Sequence, residues 1–368
     1  MDVPFTKIWL TEEDKQEVLR VLDSGYLTYG PKTKELEKVL RKYFGKPVVM
    51  TSSCTAALTM AFAKAISKAP RPMRPWTPEI ITTPLTYVAT AHSIIEARAK
   101  PVFADVDPTT WCIDVDSIVS KITDDTVAIA PVHWGGNPCE MDRIMAIAEE
   151  HNLMVIEDCA QSIGAKWENR LTGTFGMAGC FSFYPTKQIG ATDAGCIVCD
   201  PEDEEWYRMA IHAGSNKKIP HEGKTDVFFR GWKANCNDID SALILSQFKR
   251  LDKNLAARMA IARMYDKELP SYYQSQSAPN STRYLYPVIV PDRDEVIRKF
   301  KEAGISVIAQ GDPVLTEMTY YRKEYGTDET TCPVASRIGA STLSLPVFPE
   351  MSMEQVGYVI KIACEIAR

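Results

Sequence analysis

A chain of 368 residues is long enough to bury a substantial core and to divide into two lobes. The formal net charge of −6 argues against a nucleic-acid or anionic-membrane surface, because those partners need a concentrated excess of lysine and arginine. The first residues, MDVPFTKIWLTEEDKQ, lack a basic region followed by an apolar core, and no stretch is long and apolar enough to span a bilayer, so a soluble protein is expected.

The ten cysteines are scattered, several of them in apolar runs where a reduced thiol packs as a small hydrophobe, which predicts a reducing, cytoplasmic-type compartment. Only Cys196 and Cys199 form a C-x-x-C. They sit in the strand-like GCIVCD, where alternation separates their side chains, and no second pair follows, so no metal site is expected.

In chain order, TEEDKQEVLRVLDSG (11 to 25) reads as a helix with Thr11 as N-cap and Gly25 as its stop, and a second amphipathic helix over about 32 to 44 ends at Gly45. PVVMTSSCTAALTMAFAKAI (47 to 66) reads as strand, hydroxyl-rich turn and helix. Backbone N–H groups at Ser52, Ser53 and the helix start then form an anion cup. APRPMRPWTPE, with prolines at 70, 72, 75 and 78, predicts an irregular surface insertion. From IITT to LMVIED, short apolar runs alternate with helical patterns, which predicts βαβ crossovers and an α/β fold: a mostly parallel central sheet with helices on both faces and the ligand along one edge. LMVIEDCAQSIGA (153 to 165) brings Asp158 to the carboxyl end of a strand. FSFYPTKQIGATDAG (181 to 195) ends an aromatic strand-like run with a single lysine, Lys187, in a Pro/Thr/Gly setting. HAGSNKKIPHEGKTD and RGWKANC are too hydrophilic for a core and are expected at a surface. Residues 239 to 269 form one long helical pattern closed by Pro270; beyond it, strand LYPVIV, helix DEVIRKFKEAG, strand ISVIA and a last helix from about 352 make a smaller α+β lobe. The expected division is 1–250 for the large lobe and 251–368 for the small one.

A phosphate cup, a buried carboxylate and an amine nucleophile match the needs of pyridoxal phosphate. Its phosphate suits a helix N-terminus, a carboxylate keeps its pyridine nitrogen protonated, and a lysine links to it covalently.

The phrases TSSCTAAL, TYVATAHSI, PVFADVDPTTWCID, PVHWGG, EDCAQSIGA, FSFYPTK and LSLPVFPEM resemble, in order and spacing, the DegT-type nucleotide-sugar aminotransferases, a fold type I pyridoxal phosphate family. The resemblance runs from about residue 4 to the C-terminus and is most specific in the first 200 residues. It implies Lys187 as cofactor anchor and proton carrier, Asp158 as partner of the pyridine nitrogen, and Gln161 at the ring or its 3-hydroxyl. It further implies Ser182 and Thr55 at the phosphate, aided by the Ser53 and Cys54 turn, and Tyr87 against the ring. Lys233, where many members carry asparagine, would contact the phosphate in the neighbouring subunit of a homodimer. Cys54 stands where a glycine is common, so the backbone there must manage without positive-φ freedom or the turn differs.

The implied reaction moves an amino group from an amino acid, glutamate, to a keto group of a nucleotide-linked deoxysugar. SGYLTYGPKTKELE and HWGGNPCEMD are closer to members acting at C4 of a 4-keto-6-deoxyhexose than at C3. The alternatives are a C3 aminotransferase, a sugar dehydratase, which would carry histidine in place of Lys187, and a cofactor-bound sugar-sensing regulator without turnover.

Overall fold

The computed structural model describes residues 1–70, 75–216 and 225–368. Parts of the proline-rich 69–79 segment and of the polar 212–226 segment therefore lie outside the described residues. The chain opens with α1 (Glu12–Ser24), capped reciprocally by Thr11 and Asp14 and stopped at Gly25 with φ 72°, and α2 (Pro31–Phe44), stopped at Gly45 with φ 69°. Both stops place glycine in the left-handed region, where a Cβ would be strained.

Next come β1 (Val48–Thr51), α3 (Cys54–Lys68), β2 (Glu79–Thr82), α4 (Ala89–Glu96), β3 (Lys100–Phe103), α5 (Val115–Lys121), β4 (Thr126–Ala130), α6 (Met141–Glu150) and β5 (Met154–Asp158). A small hairpin, β6 (Lys166–Trp167) and β7 (Arg170–Leu171), precedes β8 (Ala178–Ser182), β9 (Gly195–Cys199) and α7 (Glu204–Ala210). Seven of these strands form one sheet in the order β1-β9-β8-β5-β4-β2-β3. β9 pairs antiparallel with both β1 and β8, while the other pairings are parallel, so β9 runs against its neighbours in an otherwise parallel sheet. β1, β4 and β9 are buried along their whole length, which explains their continuous apolar runs. Helices cover both faces: Cys199 packs in a cluster with Leu58 and Tyr207, and Cys196 in another with Leu36 and Phe181. The two thiols of the C-x-x-C thus face opposite sides of the sheet and do not share a ligand position.

The pattern over 239 to 269 is two helices, α8 (Asp238–Phe248) and α9 (Leu251–Glu268), where the sequence predicts one. Arg250 leaves helical geometry, at φ −116° and ψ 18°. Its guanidinium donates to both carboxylate oxygens of the fully buried Asp14 in α1 and to the Trp9 carbonyl. This distant ion pair decides the break, and local propensity carries no trace of it.

The remaining strands, β10 (Gln274–Ser275), β11 (Tyr286–Ile289), β12 (Ile308–Ala309) and β13 (Thr342–Leu345), form an antiparallel sheet in the order β10-β11-β13-β12. It packs with α10 (Arg293–Glu302) and α13 (Met353–Ile366), while α11 (Thr319–Tyr325) and α12 (Pro333–Ser341) join the last two strands. Val3 belongs to this second core and bridges to Ile305.

Candidate active site

The expected ligand edge is built by strand ends. Thr51 closes β1 opposite Gly195, Gly195 pairs with Ser182 at the end of β8, and Asp158 closes β5 opposite Cys180. In a parallel sheet this is where side chains escape the core without another strand covering them.

At the edge's β1 end, Ser53 caps α3, its Oγ accepting from Ala56 N–H at 3.1 Å. The N–H groups of Cys54 and Thr55, in the first turn, have no intrahelical partner and carry the positive end of the helix dipole. Thr55 and Ser52 are exposed and Ser53 and Ser182 half-buried, so hydroxyls ring the same turn. Cys54 needs no positive φ, because it is the first helical residue. The steric demand falls on Gly195 instead, where a Cβ would lie 2.5 Å from Cys54 N and from Ser53 C. Burial, and then the Asp158 charge, push the Cys54 thiol well above its ordinary value, so it packs as an inert group.

Asp158 is 4% exposed. One oxygen accepts from Ala160 N–H at 3.0 Å and the other from Thr90 Oγ1 at 2.7 Å. Burial raises its pKa, against the pull of these two hydrogen bonds and of the Lys187 charge. No cation is within ion-pair distance of it among the described residues. Its neighbour Glu157 points the other way, accepting from the N–H groups of Gly173, Phe175 and Gly176 at 2.6, 2.8 and 3.0 Å. Because His133 Nδ1 accepts from Cys139 N–H, its Nε2 carries the proton and donates to Glu157 at 3.1 Å. His133, Glu157 and Cys159 lie close enough together to suggest a metal, but the imidazole and carboxylate are already engaged by protein groups. They lock the β4–β5 edge on which Asp158 rides.

Lys187 follows β8 on a loop closed by Lys187 N–H to Tyr184 O at 2.9 Å. The buried Gln188 clamps the loop with Nε2 bonds to Gln161 O and Thr282 Oγ1 at 2.8 and 3.1 Å, and Asn254 holds the Gln188 carbonyl at 2.6 Å. Lys187 Nζ donates to Tyr284 Oη at 3.3 Å and lies 4.4 Å from the ring centroid. Lys187 lies near enough to both Asp158 and Cys54 for its charge to favour the ionised form of each.

Gln161 Oε1 accepts from Gly135 N–H at 2.6 Å, which ties its side chain to the loop after β4. Tyr87 stands in the turn before α4 and is 73% exposed; its carbonyl accepts from Thr90 N–H, so it neighbours the residue that holds Asp158. Lys233 is exposed and bonds within its own loop to Asn235 Oδ1. That loop lies beside the cup of its own chain, Ser52 N–H donating to Ala234 O at 2.7 Å, and no hydrogen bond or ion pair joins Lys233 to the other described site residues. The surface expectation for the preceding polar segment fails at Ser215 and Asn216, each 5% exposed. Their polar groups are satisfied locally, by His212 O and by the Asp226 backbone, so burial costs little.

Thr90, Gln188, Tyr284 and the His133–Glu157 pair were not singled out in the sequence. Their partners are 24 to 97 residues away, a separation that no local pattern reports.

The profile of the DegT/DnrJ/EryC1/StrS aminotransferase family matches residues 9–363. The chain is 34% identical to the spore coat polysaccharide biosynthesis protein SpsC of Bacillus subtilis strain 168 over 387 aligned positions, covering 100% of this chain and 97% of that one. Helicobacter pylori PseC, an aminotransferase involved in the biosynthesis of pseudoaminic acid, superposes with a TM-score of 0.91 at 25% identity over 99% of both chains. The PLP form of Spr1654 from Streptococcus pneumoniae, described as a sugar aminotransferase, superposes with a TM-score of 0.91 at 26% identity over 100% of both chains. With an edge of this construction and a match of this extent, the chain belongs to the DegT/DnrJ/EryC1/StrS aminotransferase family.

Proposed function

We propose that this aminotransferase moves an amino group from L-glutamate to C4 of a nucleotide-linked 4-keto-6-deoxyhexose, on pyridoxal phosphate bound covalently through Lys187. The observation that carries the reading is the gathering of three complementary groups along one sheet edge: a capped helix N-terminus, a buried carboxylate with no cation in ion-pair contact among the described residues, and a lysine amine on the loop after β8. The residues fit the cofactor. A phosphate suits the Cys54 and Thr55 N–H groups and the Ser52, Thr55 and Ser182 hydroxyls. A protonated ring nitrogen would give Asp158 a cationic partner and offset the cost of burying that carboxylate.

When bound, the cofactor supplies an electron sink for breaking a carbon–hydrogen bond and stores the amine between half-reactions. Asp158 would keep the ring nitrogen charged, held in place by Thr90 and Ala160 N–H. Gln161, with Oε1 committed to Gly135, would have Nε2 left for the ring's 3-hydroxyl. The exposed Tyr87 ring would cover the cofactor face. Lys187 Nζ would take the proton from the donor's α-carbon and return it, a general acid–base role. We assign the phosphate a further contact from Lys233 across a homodimer, and the lobes the division 1–250 and 251–368. The preference for C4 rests on the SGYLTYGPKTKELE and HWGGNPCEMD phrases.

The test is an absorbance spectrum followed by a substrate panel. Protein loaded with pyridoxal phosphate should absorb near the visible edge and be bleached by glutamate, and a 4-keto nucleotide sugar should gain an amine whose position NMR assigns to C4. An amine at C3 moves the assignment to the 3-keto class; a loaded protein that no amino acid bleaches is not an aminotransferase of this kind.

A further inference from the structure

Tyr284 is an ionisable group at this edge for which the reaction above has no use. It lies two residues before β11, on the segment that leads into the second sheet, yet its phenol oxygen is 3.3 Å from Lys187 Nζ and 3.3 Å from Thr186 Oγ1. Its ring faces the amine, 4.4 Å from centroid to Nζ. Behind it stands Arg258 of α9, 3% exposed, which donates to the Tyr284 carbonyl at 3.3 Å, to the Val347 carbonyl at 2.7 Å and to Asn254 Oδ1 at 3.0 Å. Among the described residues neither Arg258 nor Lys187 has a carboxylate in ion-pair contact. Asp158, the buried acid that senses the Lys187 charge, has its own oxygens on Thr90 and Ala160. The phenol oxygen is thus bonded by one cation, Lys187, and one hydroxyl, Thr186, while the Arg258 guanidinium holds the backbone of the same residue.

We infer that Tyr284 is the proton partner of Lys187: whenever Nζ is not bonded to the cofactor, ammonium and phenolate exchange one proton to give amine and phenol, which readies Nζ to take a proton from carbon. This rests on the Lys187 assignment above. Burial alone would raise the phenol's pKa; the Lys187 charge, the hydrogen bonds with Thr186 and Lys187 and the Arg258 charge outweigh it, and the group ends below its ordinary value. A phenol lowered in this way gives up its proton more readily, and at 3.3 Å from Nζ it stands within reach of the amine for a general acid–base relay.

Two measurements test the inference. In apoprotein, followed by the ultraviolet absorbance of tyrosinate, one tyrosine should ionise below the rest; Tyr284→Phe should abolish that step, and Lys187→Ala should move it upward. In loaded protein, Tyr284→Phe should keep the visible-edge absorbance, since the anchoring lysine is intact. Its bleaching by glutamate should slow on the order of 10²-fold, with a larger isotope effect from α-deuterated glutamate and an unchanged KM. Identical tyrosinate titrations in wild type and Tyr284→Phe, or bleaching within about twofold of wild type, would overturn the inference while leaving the aminotransferase reading intact. If wild type itself neither takes up pyridoxal phosphate nor bleaches, the Lys187 assignment falls and the inference with it.

Discussion

Asp158 carries its charge where burial disfavours it, with one backbone N–H and one hydroxyl to hold it. Its pKa in the folded apoprotein is raised, so the folded state binds the proton more tightly than the unfolded chain does. Apoprotein stability should therefore fall as pH rises from the ordinary carboxylate value through the raised one. Asp158→Asn should flatten that part of the apoprotein's melting-temperature profile and, in loaded protein, cut the bleaching rate severely, because the ring nitrogen loses its counter-charge. A variant with near-normal rates and bound cofactor would show that Asp158 is not the ring partner. Lys187 is half-buried, and its amine makes no bond essential to packing, so Lys187→Ala should remain folded and lose transamination altogether. Turnover above a few per cent of wild type, measured as product per active site, would contradict the assignment.

At the scale of elements, the cup is a packing problem between α3 and β9. The first residue of β9 must be glycine because any Cβ at Gly195 would meet Ser53 C and Cys54 N at 2.5 Å, and that contact is backbone, which has no room to give. Gly195→Ala should displace the α3 N-terminus, lowering stability by about 1–3 kcal/mol. It should weaken pyridoxal phosphate binding more than a distant substitution of equal stability cost does. Urea unfolding of the apoprotein and cofactor titration separate the two effects; a stability loss with unchanged cofactor affinity would mean that α3 does not hold the phosphate.

For the whole molecule, the proposed sharing of the site between subunits has a distinctive outcome. Lys233 is exposed in the single chain and, among the described residues, its side chain bonds to Asn235 within its own loop, so the proposed role depends on what a second chain brings. Lys233→Ala alone should weaken cofactor affinity by about 1.5–3 kcal/mol, the range for a hydrogen bond to a charged group. Mixed with Lys187→Ala under conditions of subunit exchange, it should recover about a quarter of wild-type activity, since about half of the dimers are hybrids with one intact site each. An inactive Lys233→Ala protein that shows no rescue after verified exchange would refute the shared site.

Element order, helix caps, the strand-end position of Asp158 and the lysine loop were legible in the sequence, because each is a local consequence of periodicity, a capping residue or a glycine stop. The hydroxyl-rich turn at the start of α3 was legible for the same reason, since a helix N-terminus exposes its N–H groups wherever it is placed. What only the tertiary structure decided are relations across long stretches of chain. Arg250 ends α8 to reach Asp14, Thr90 reaches Asp158, Gly195 makes room for Cys54, and Tyr284 comes from the segment before β11 to Lys187. The polar Ser215 and Asn216, hydrophilic by composition, are buried because their own loop satisfies them. Hydrogen bonds and steric exclusion act at a few ångströms in space, and residue spacing along the chain records them only where the two partners are neighbours in sequence as well.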